Sequence, residues 1–468
     1  MKNLSARLTS LLHALTGHTA FALCYLLACV LFYPLRATAN RLFQYLLFPW
    51  ATALAYPVLT RRVRADQPGQ TVLLVFFLWF LFSCYINRAY SFFGSSHLWL
   101  THVAVLFALF PQPADRSAHA VLWEAELTAH LLAVLLLPVY LCGIYASFTQ
   151  SPVDIGVGIA IGMIGEQRLH LFAHPNTVGY VALISLLLSC YVIIRRRGIL
   201  RAAHVLNVCV LFLGIGLTQS RTSSIALSVA VALIAFCALH GRMKRMLPAA
   251  AAALLTAALC LTLQQVTWPA LASLSNHLHA SAEASTSSDT AVLPPADDPA
   301  ADPLPDAPDA PTDQMIDIET RPLNYYFSTF SGRTVLWSGA LSFLADHPIK
   351  LITGVSQVGV QETLIPYCPE IAVLGDTHST YVQQLVSVGL PGLLLVVVFL
   401  LCQVKPIVQV LRIPSRDALR GAYVLPTIPI ALAIISLMET ILFNDNSFAY
   451  PVFSLALGWT AHLARTRA

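Results

Sequence analysis

The stretch Asp376-Thr377-His378-Ser379-Thr380-Tyr381 places an imidazole where a long polar segment ends and an apolar helix is predicted to begin. A histidine at a helix N-terminus sits at the positive end of the macrodipole, which disfavours the imidazolium. A neutral imidazole is what a general base requires. Asp376 is close enough in sequence either to orient the ring or to offset the dipole. At about 100° per residue, Leu385, Gly389 and Gly392 fall on nearly the same helical face as His378. The functional reading is a base at the mouth of a face that admits a lipid chain. The ordinary one is an interfacial histidine above small residues that let two helices pack closely.

Three arginines supply complementary chemistry. Arg168, Arg221 and Arg333 each fall at or near the start of a predicted helix. Around Arg221, Gln219-Ser220-Arg221-Thr222-Ser223-Ser224 is a very short turn between two apolar stretches, where a guanidinium, hydroxyls and free helix N–H groups converge as in a phosphate cradle. For any one of them, an arginine snorkelling to water is the alternative. The recurrence points to an anionic ligand. A metal reading of Asp376 with His378 is weaker, because two ligands fall short of a catalytic site and no other His or acidic cluster has ligand spacing.

The elements that must position these residues are membrane helices. Of 468 residues, 57% are hydrophobic and only 11% charged, with a mean hydropathy of +0.69. Such a chain has too little polar surface for a soluble globule, and nothing in it suggests nucleic-acid binding. The ten cysteines show neither a disulfide framework nor zinc spacing, since all but Cys368 lie in apolar runs. The first apolar segment lacks a small-residue cleavage site and is read as a span rather than a removable signal peptide.

A helix needs roughly 20 apolar residues to cross a bilayer core. By that ruler twelve spans are expected near 18–36, 41–60, 70–87, 93–111, 120–146, 174–194, 203–219, 222–240, 247–265, 379–404, 421–441 and 447–464. Placing both termini in the cytoplasm puts most of the 27 basic residues inside, including Arg195, Arg196, Arg197, Arg242 and Arg245. Arg168, Arg221 and Arg333 are then on the outside, against the rule, and are informative for that reason.

Three regions result: an N-terminal bundle of about nine spans over 1–265, with an outer segment at 147–173; a large outer loop over 266–378; and about three C-terminal spans over 379–468. Within the loop, the Pro-, Ala-, Ser- and Asp-rich stretch 281–320 is expected to be a disordered acidic insert. After it, Ser331-Gly332-Arg333 opens a short surface helix with Trp337, Ala340, Leu341 and Leu344 on one face, stopped by His347-Pro348. Glu124 and Glu126 fall near the inner end of the fifth span and Glu439 near the outer end of the eleventh. Uncharged span centres argue against an ion-coupled transporter.

His378-Ser379, nine further residues, then Gly389-Leu390-Pro391-Gly392 resembles the signature of the O-antigen ligases of lipopolysaccharide assembly. Arg168 with His174-Pro175-Asn176 is similar to an arginine segment of that family, Thr218-Gln219-Ser220-Arg221-Thr222 to its second arginine motif, and Ser331 through Pro348 to a loop element of the wider superfamily. The resemblance covers about Arg168 to Gly392. It implies an all-α polytopic membrane glycosyltransferase, GT-C-like, with about twelve transmembrane helices and a large periplasmic loop. Such an enzyme moves O-antigen glycan from undecaprenyl pyrophosphate to a sugar hydroxyl of lipid A-core, at the periplasmic face of the Gram-negative inner membrane. Neither metal, cofactor nor nucleotide sugar takes part. On this resemblance His378 is the base, Arg221 and Arg168 neutralise the leaving pyrophosphate, and Arg333, Asn176, Ser220, Thr222, Ser379, Gly389, Gly392 and Asp376 contact substrate. O-antigen polymerases and protein O-oligosaccharyltransferases share these motifs and stay open as alternatives; a lipid-linked oligosaccharide flippase is the non-enzymatic one.

Overall fold

The computed structural model describes residues 17–31, 39–59, 67–88, 102–113, 116–149, 153–154, 160–164, 168–171, 173–243, 245–286, 333–413, 419–443 and 448–467. Its helices are α1 His18–Leu31, α2 Ala39–Leu59, α3 Gln70–Ile86, α4 Ala118–Phe148, α5 Pro175–Arg195, α6 Ile199–Thr218, α7 Arg221–Met243 and α8 Met246–Thr286. They continue with α9 Arg333–Asp346, α10 Pro348–Thr353, α11 Val360–Leu364, α12 Ile371–Leu374, α13 Thr380–Leu411, α14 Thr427–Ile435 and α15 Ala449–Arg467. Among the described residues six helices are long and apolar enough to cross a membrane: α4, α5, α6, the Arg221–Gly241 part of α7, the Met246–Thr267 part of α8, and α13. The protein is thus a polytopic helical membrane protein. Helix α15 lies inside the bundle rather than on its rim, with Tyr450, Phe453 and Trp459 all buried.

Three elements differ from the sequence reading. Helix α8 does not stop near 265 but runs through Pro269 to Thr286, because the Ala- and Leu-rich sequence beyond the apolar stretch is still helix-forming. Residues 281–286 of the expected insert are therefore helical, while 287–320 and the proposed cap Ser331 lie outside the described residues. Within α9, Leu336, Gly339, Ala340, Phe343 and Leu344 face inward, but Leu341 is exposed. The outer segment also holds a small antiparallel sheet, β1 Val153–Asp154, β2 Ala160–Ile164 and β3 Arg168–His170, ordered β1-β2-β3 with Met163 opposite Leu169. In β3 the period of two buries Leu169 and turns Arg168 and His170 to the opposite face.

The glycine face drawn below His378 is not continuous. Gly389 has φ 73°, a left-handed conformation that splits α13. Pro391 has no N–H to offer the carbonyl four residues earlier, and the freed carbonyls of the break find other donors. Ser387 O accepts from Ser356 N at 2.9 Å and Ser83 Oγ at 3.0 Å, and Val388 O accepts from Trp79 Nε1 at 2.7 Å. A Cβ on Gly389 would lie 2.2 Å from Ile352 O, and one on Gly392 would lie 2.3 Å from Val388 Cγ2. Both glycines are packed on protein, so they do not form the open substrate face assigned to them. They are small because α10 and α3 approach α13 closely there.

Short helices α9 to α12 share a separate small core of Leu336, Phe343, Val360, Leu364, Cys368 and Ile371, joined to α13 by Val386. This core anchors the loop that carries His378, since Trp337 Nε1 donates to Thr377 O at 2.9 Å.

Candidate active site

Five elements converge on one cluster: β3, α5, α9, the loop before α13 and the segment after α14. His378 precedes α13 with φ 50°, an uncommon conformation for a residue with a side chain. It is held by Asp376, whose Oδ1 accepts the His378 backbone N–H at 2.7 Å and the Thr440 hydroxyl at 3.0 Å. Thr380, the first residue of α13, fixes the opposite wall: its N–H donates to Ser436 O at 3.0 Å and its hydroxyl to Glu439 O at 3.0 Å. The same Oγ1 accepts from Ile441 N at 3.1 Å and Leu442 N at 3.2 Å. The 436–442 backbone is therefore tied to the residue two positions after His378.

Glu439 is the hub of the cluster. Its Oε1 accepts from Arg333 Nη2 at 2.6 Å and from Asn176 Nδ2 at 2.7 Å, and its Oε2 lies 3.5 Å from His378 Nδ1. Arg333 Nε also donates to Met438 O at 2.9 Å. On the far side of Asn176, its Oδ1 accepts from Arg168 Nη2 at 2.7 Å, and Arg168 Nε donates to Thr218 O at 2.9 Å. One chain of contacts thus runs from Thr218 at the end of α6 through Arg168 and Asn176 to Glu439, where it branches to Arg333 and to His378. Pro175 at the first position of α5, with His174 as N-cap accepting from Asn176 N–H at 3.3 Å, sets the start of the helix that carries Asn176.

The helix end is not the only influence on the imidazole, which two carboxylates also face. Burial by itself would lower the His378 pKa, but the Glu439 hydrogen bond and the charges of Asp376 and Glu439 outweigh it, and Arg333 only partly opposes them; the net direction is up. Nδ1 faces two carboxylates, Asp376 Oδ1 at 3.6 Å and Glu439 Oε2 at 3.5 Å. That arrangement favours the proton on Nδ1 and leaves the Nε2 lone pair as the basic atom. Asp376 is itself raised by burial, against the His378 charge and its own two hydrogen bonds.

The arginine turn stands beside this cluster. Gln219 ends α6 with φ 51°, and Arg221 opens α7. Ser220 is buried, with its hydroxyl donating to Ser223 Oγ at 2.9 Å and lying 3.4 Å from Thr222 Oγ1. It packs against Gly179 of α5, where a Cβ would meet Ser220 Cβ at 2.9 Å. Ser379 is also buried. The hydroxyls of Ser220 and Ser379 therefore serve the protein interior rather than an open face, while Arg168, Asn176, Arg333, Asp376 and His378 come together. Among the described residues no group of three or more His, Cys, Asp or Glu is placed to hold a metal ion.

Glu439 has no chemical role in the sequence reading, which places it only near the outer end of a span. Its signal was present: a lone acid within the apolar run Ile434 to Phe443 is expensive in a membrane and is by default a functional candidate. No local motif joins it to His378, which is 61 positions earlier.

Residues 205–397 match the family model Wzy_C, described as O-Antigen ligase. Arg221, Arg333 and His378 lie inside that range, Arg168 and Asn176 before it, and Glu439 after it. No curated protein matches the chain significantly.

Proposed function

We propose that this chain, whose residues 205–397 match the O-antigen ligase family model, transfers a glycan from a polyprenyl-diphosphate carrier to a hydroxyl of lipid A-core. The observation that carries this reading is the pairing, within one connected cluster, of an imidazole whose Nδ1 faces two carboxylates with Arg333 and Arg168. His378 Nε2 takes the proton of the acceptor hydroxyl as that oxygen bonds to the anomeric carbon. The anomeric C–O bond to diphosphate breaks with inversion, and the electron pair leaves on the diphosphate. Arg221 and Arg333 neutralise the charge that grows there, and Arg168 holds the turn bearing Arg221 through Thr218. Because diphosphate is already a good leaving group, guanidinium groups suffice for its charge, and the reaction is metal-independent. The site faces the periplasm, and the acceptor and donor enter from the outer leaflet of the inner membrane.

The test is the surface-glycan profile of a deletion strain complemented with wild-type protein or His378→Ala. Ligase loss leaves O-antigen on its carrier and lipid A-core bare, and His378→Ala fails to restore capping although it is present in the membrane at wild-type level. Core capped by a single repeat in the deletion strain would instead identify a polymerase. Full restoration by His378→Ala would remove the histidine from the mechanism. With purified donor and acceptor, activity persists in excess EDTA.

A further inference from the structure

We propose that Glu439 is a positioning residue that registers the base against the anion-binding arginines, one carboxylate oxygen on Arg333 and Asn176 and the other on His378 Nδ1. The inference rests on the reading of His378 as the base and extends it to a residue outside the matched family range.

Three observations carry it. The carboxylate is nearly enclosed, at 7% exposure, so its orientation is set by the protein rather than by water. Its backbone is fixed by Thr380, which bonds Glu439 O and the N–H groups of Ile441 and Leu442. Its partners come from three separate elements: Asn176 from α5, Arg333 from α9 and His378 from the loop before α13. No single element positions the base relative to the arginines; this carboxylate does.

A consequence follows for the order of events. In this structure the Glu439 charge is shared between Arg333 and His378. A diphosphate engaging Arg333 draws the guanidinium toward itself, and the Glu439 charge then acts more fully on the imidazolium that forms during transfer. Donor binding and base strength are coupled through one side chain.

The experiment uses the full-length protein in nanodiscs, a synthetic polyprenyl-diphosphate-linked sugar as donor and a hydroxyl acceptor, with Glu439→Gln and Glu439→Asp measured per folded molecule. Glu439→Gln is expected to lower kcat at least tenfold and to move the acid limb of the pH–rate profile to lower pH, because the neutral amide no longer raises the imidazole. Glu439→Asp keeps the charge and restores part of the acid-limb position. A folded Glu439→Gln protein with wild-type kcat and acid limb would overturn the proposal. So would a variant whose loss is confined to its unfolded fraction, because that is the behaviour of a purely structural ion pair. If Glu439→Gln misfolds, the acid limb of Glu439→Asp decides: an unmoved limb with undiminished kcat also overturns it. The two readings fail separately: an active His378→Ala ends the base assignment, whereas an inactive His378→Ala beside an unaffected Glu439→Gln ends only this one.

Discussion

Two glutamates stand at opposite ends of the bundle, and the way each is enclosed is different. Glu124, near the start of α4, is wholly buried; it takes Arg116 Nη2 at 2.7 Å, Thr19 Oγ1 at 2.6 Å and Trp459 Nε1 at 2.6 Å. His18 Nδ1 lies 3.3 Å away. Nearby, Glu126 pairs with Arg196 just beyond the end of α5. Glu439 binds Asn176 at the other end of α5, and a helix of this length separates the two ends by roughly 30 Å. Both acids bring together an arginine, a histidine and an uncharged donor. The partners of Glu124 clamp α1, α4 and α15 around a carboxylate that water does not reach. The partners of Glu439 keep a second side open, the His378 imidazole being 23% exposed. A carboxylate saturated by donors that point only inward fastens helices. One whose donors also reach outward arranges a site.

The sharpest way to break this comparison is to remove both acids and ask what each loss affects. Glu124→Ala leaves Arg116 and the Trp459 N–H without their buried acceptor and is expected to destabilise the protein by about 3–5 kcal/mol. The loss is read as a lowered unfolding temperature in detergent and a reduced monodisperse yield. Glu439→Gln, by contrast, is expected to keep the fold and lower kcat at least tenfold. A stable Glu124→Ala beside an unfolded Glu439→Gln would invert the assignment.

A smaller effect sharpens the same contrast. Trp459→Phe removes one hydrogen bond to a buried charge and is expected to cost about 1.5–3 kcal/mol. Its pH–rate profile should match that of the wild type, because the hydrogen bond of Trp459 goes to the structural acid and not to the His378 cluster. A displaced acid limb in this variant would show the two ends to be coupled.

The smallest effect is a stability difference with pH. Because the folded state raises the His378 pKa above its ordinary value, the stability it gains from Glu439 and Asp376 is fully present below about pH 6.5 and is lost as pH rises through the raised value. Activity runs the other way, falling as pH drops through that same value, since the base must be unprotonated. The stability advantage of wild type over His378→Gln should therefore appear in thermal unfolding near pH 6 and vanish in mild alkali. An advantage constant across that range would mean the carboxylates do not act on the imidazole.

Much of this was legible in residue types and periodicity. Apolar runs of about 20 residues announced membrane helices, and among the described residues six are long and apolar enough on their own. His378, Arg221 and Arg333 drew notice because polar groups interrupt those runs, and Arg168 because it precedes His174-Pro175-Asn176. What misled was the assumption of an unbroken helix. The face from His378 to Gly392 was drawn at a constant 100° per residue, but Gly389 at φ 73° resets the phase. The missing N–H of Pro391 and the approach of Ile352 O are the causes, and the second arises in another segment.

By itself the sequence determined the solvent in which this chain folds, the stretches that become helices, and the presence of His378 and several arginines at the edges of apolar runs. Those follow from composition and local spacing, which act over a few residues. Only the tertiary structure decided that Glu439 joins His378 to Arg333 and Asn176, that Ser220 and Ser379 turn inward, and that two carboxylates make the imidazole more basic. Hydrogen bonds and charge interactions act across a few ångströms of space without regard to separation along the chain. Residues 176, 333, 378 and 439 become neighbours only when α5, α9, α13 and the segment after α14 have packed together.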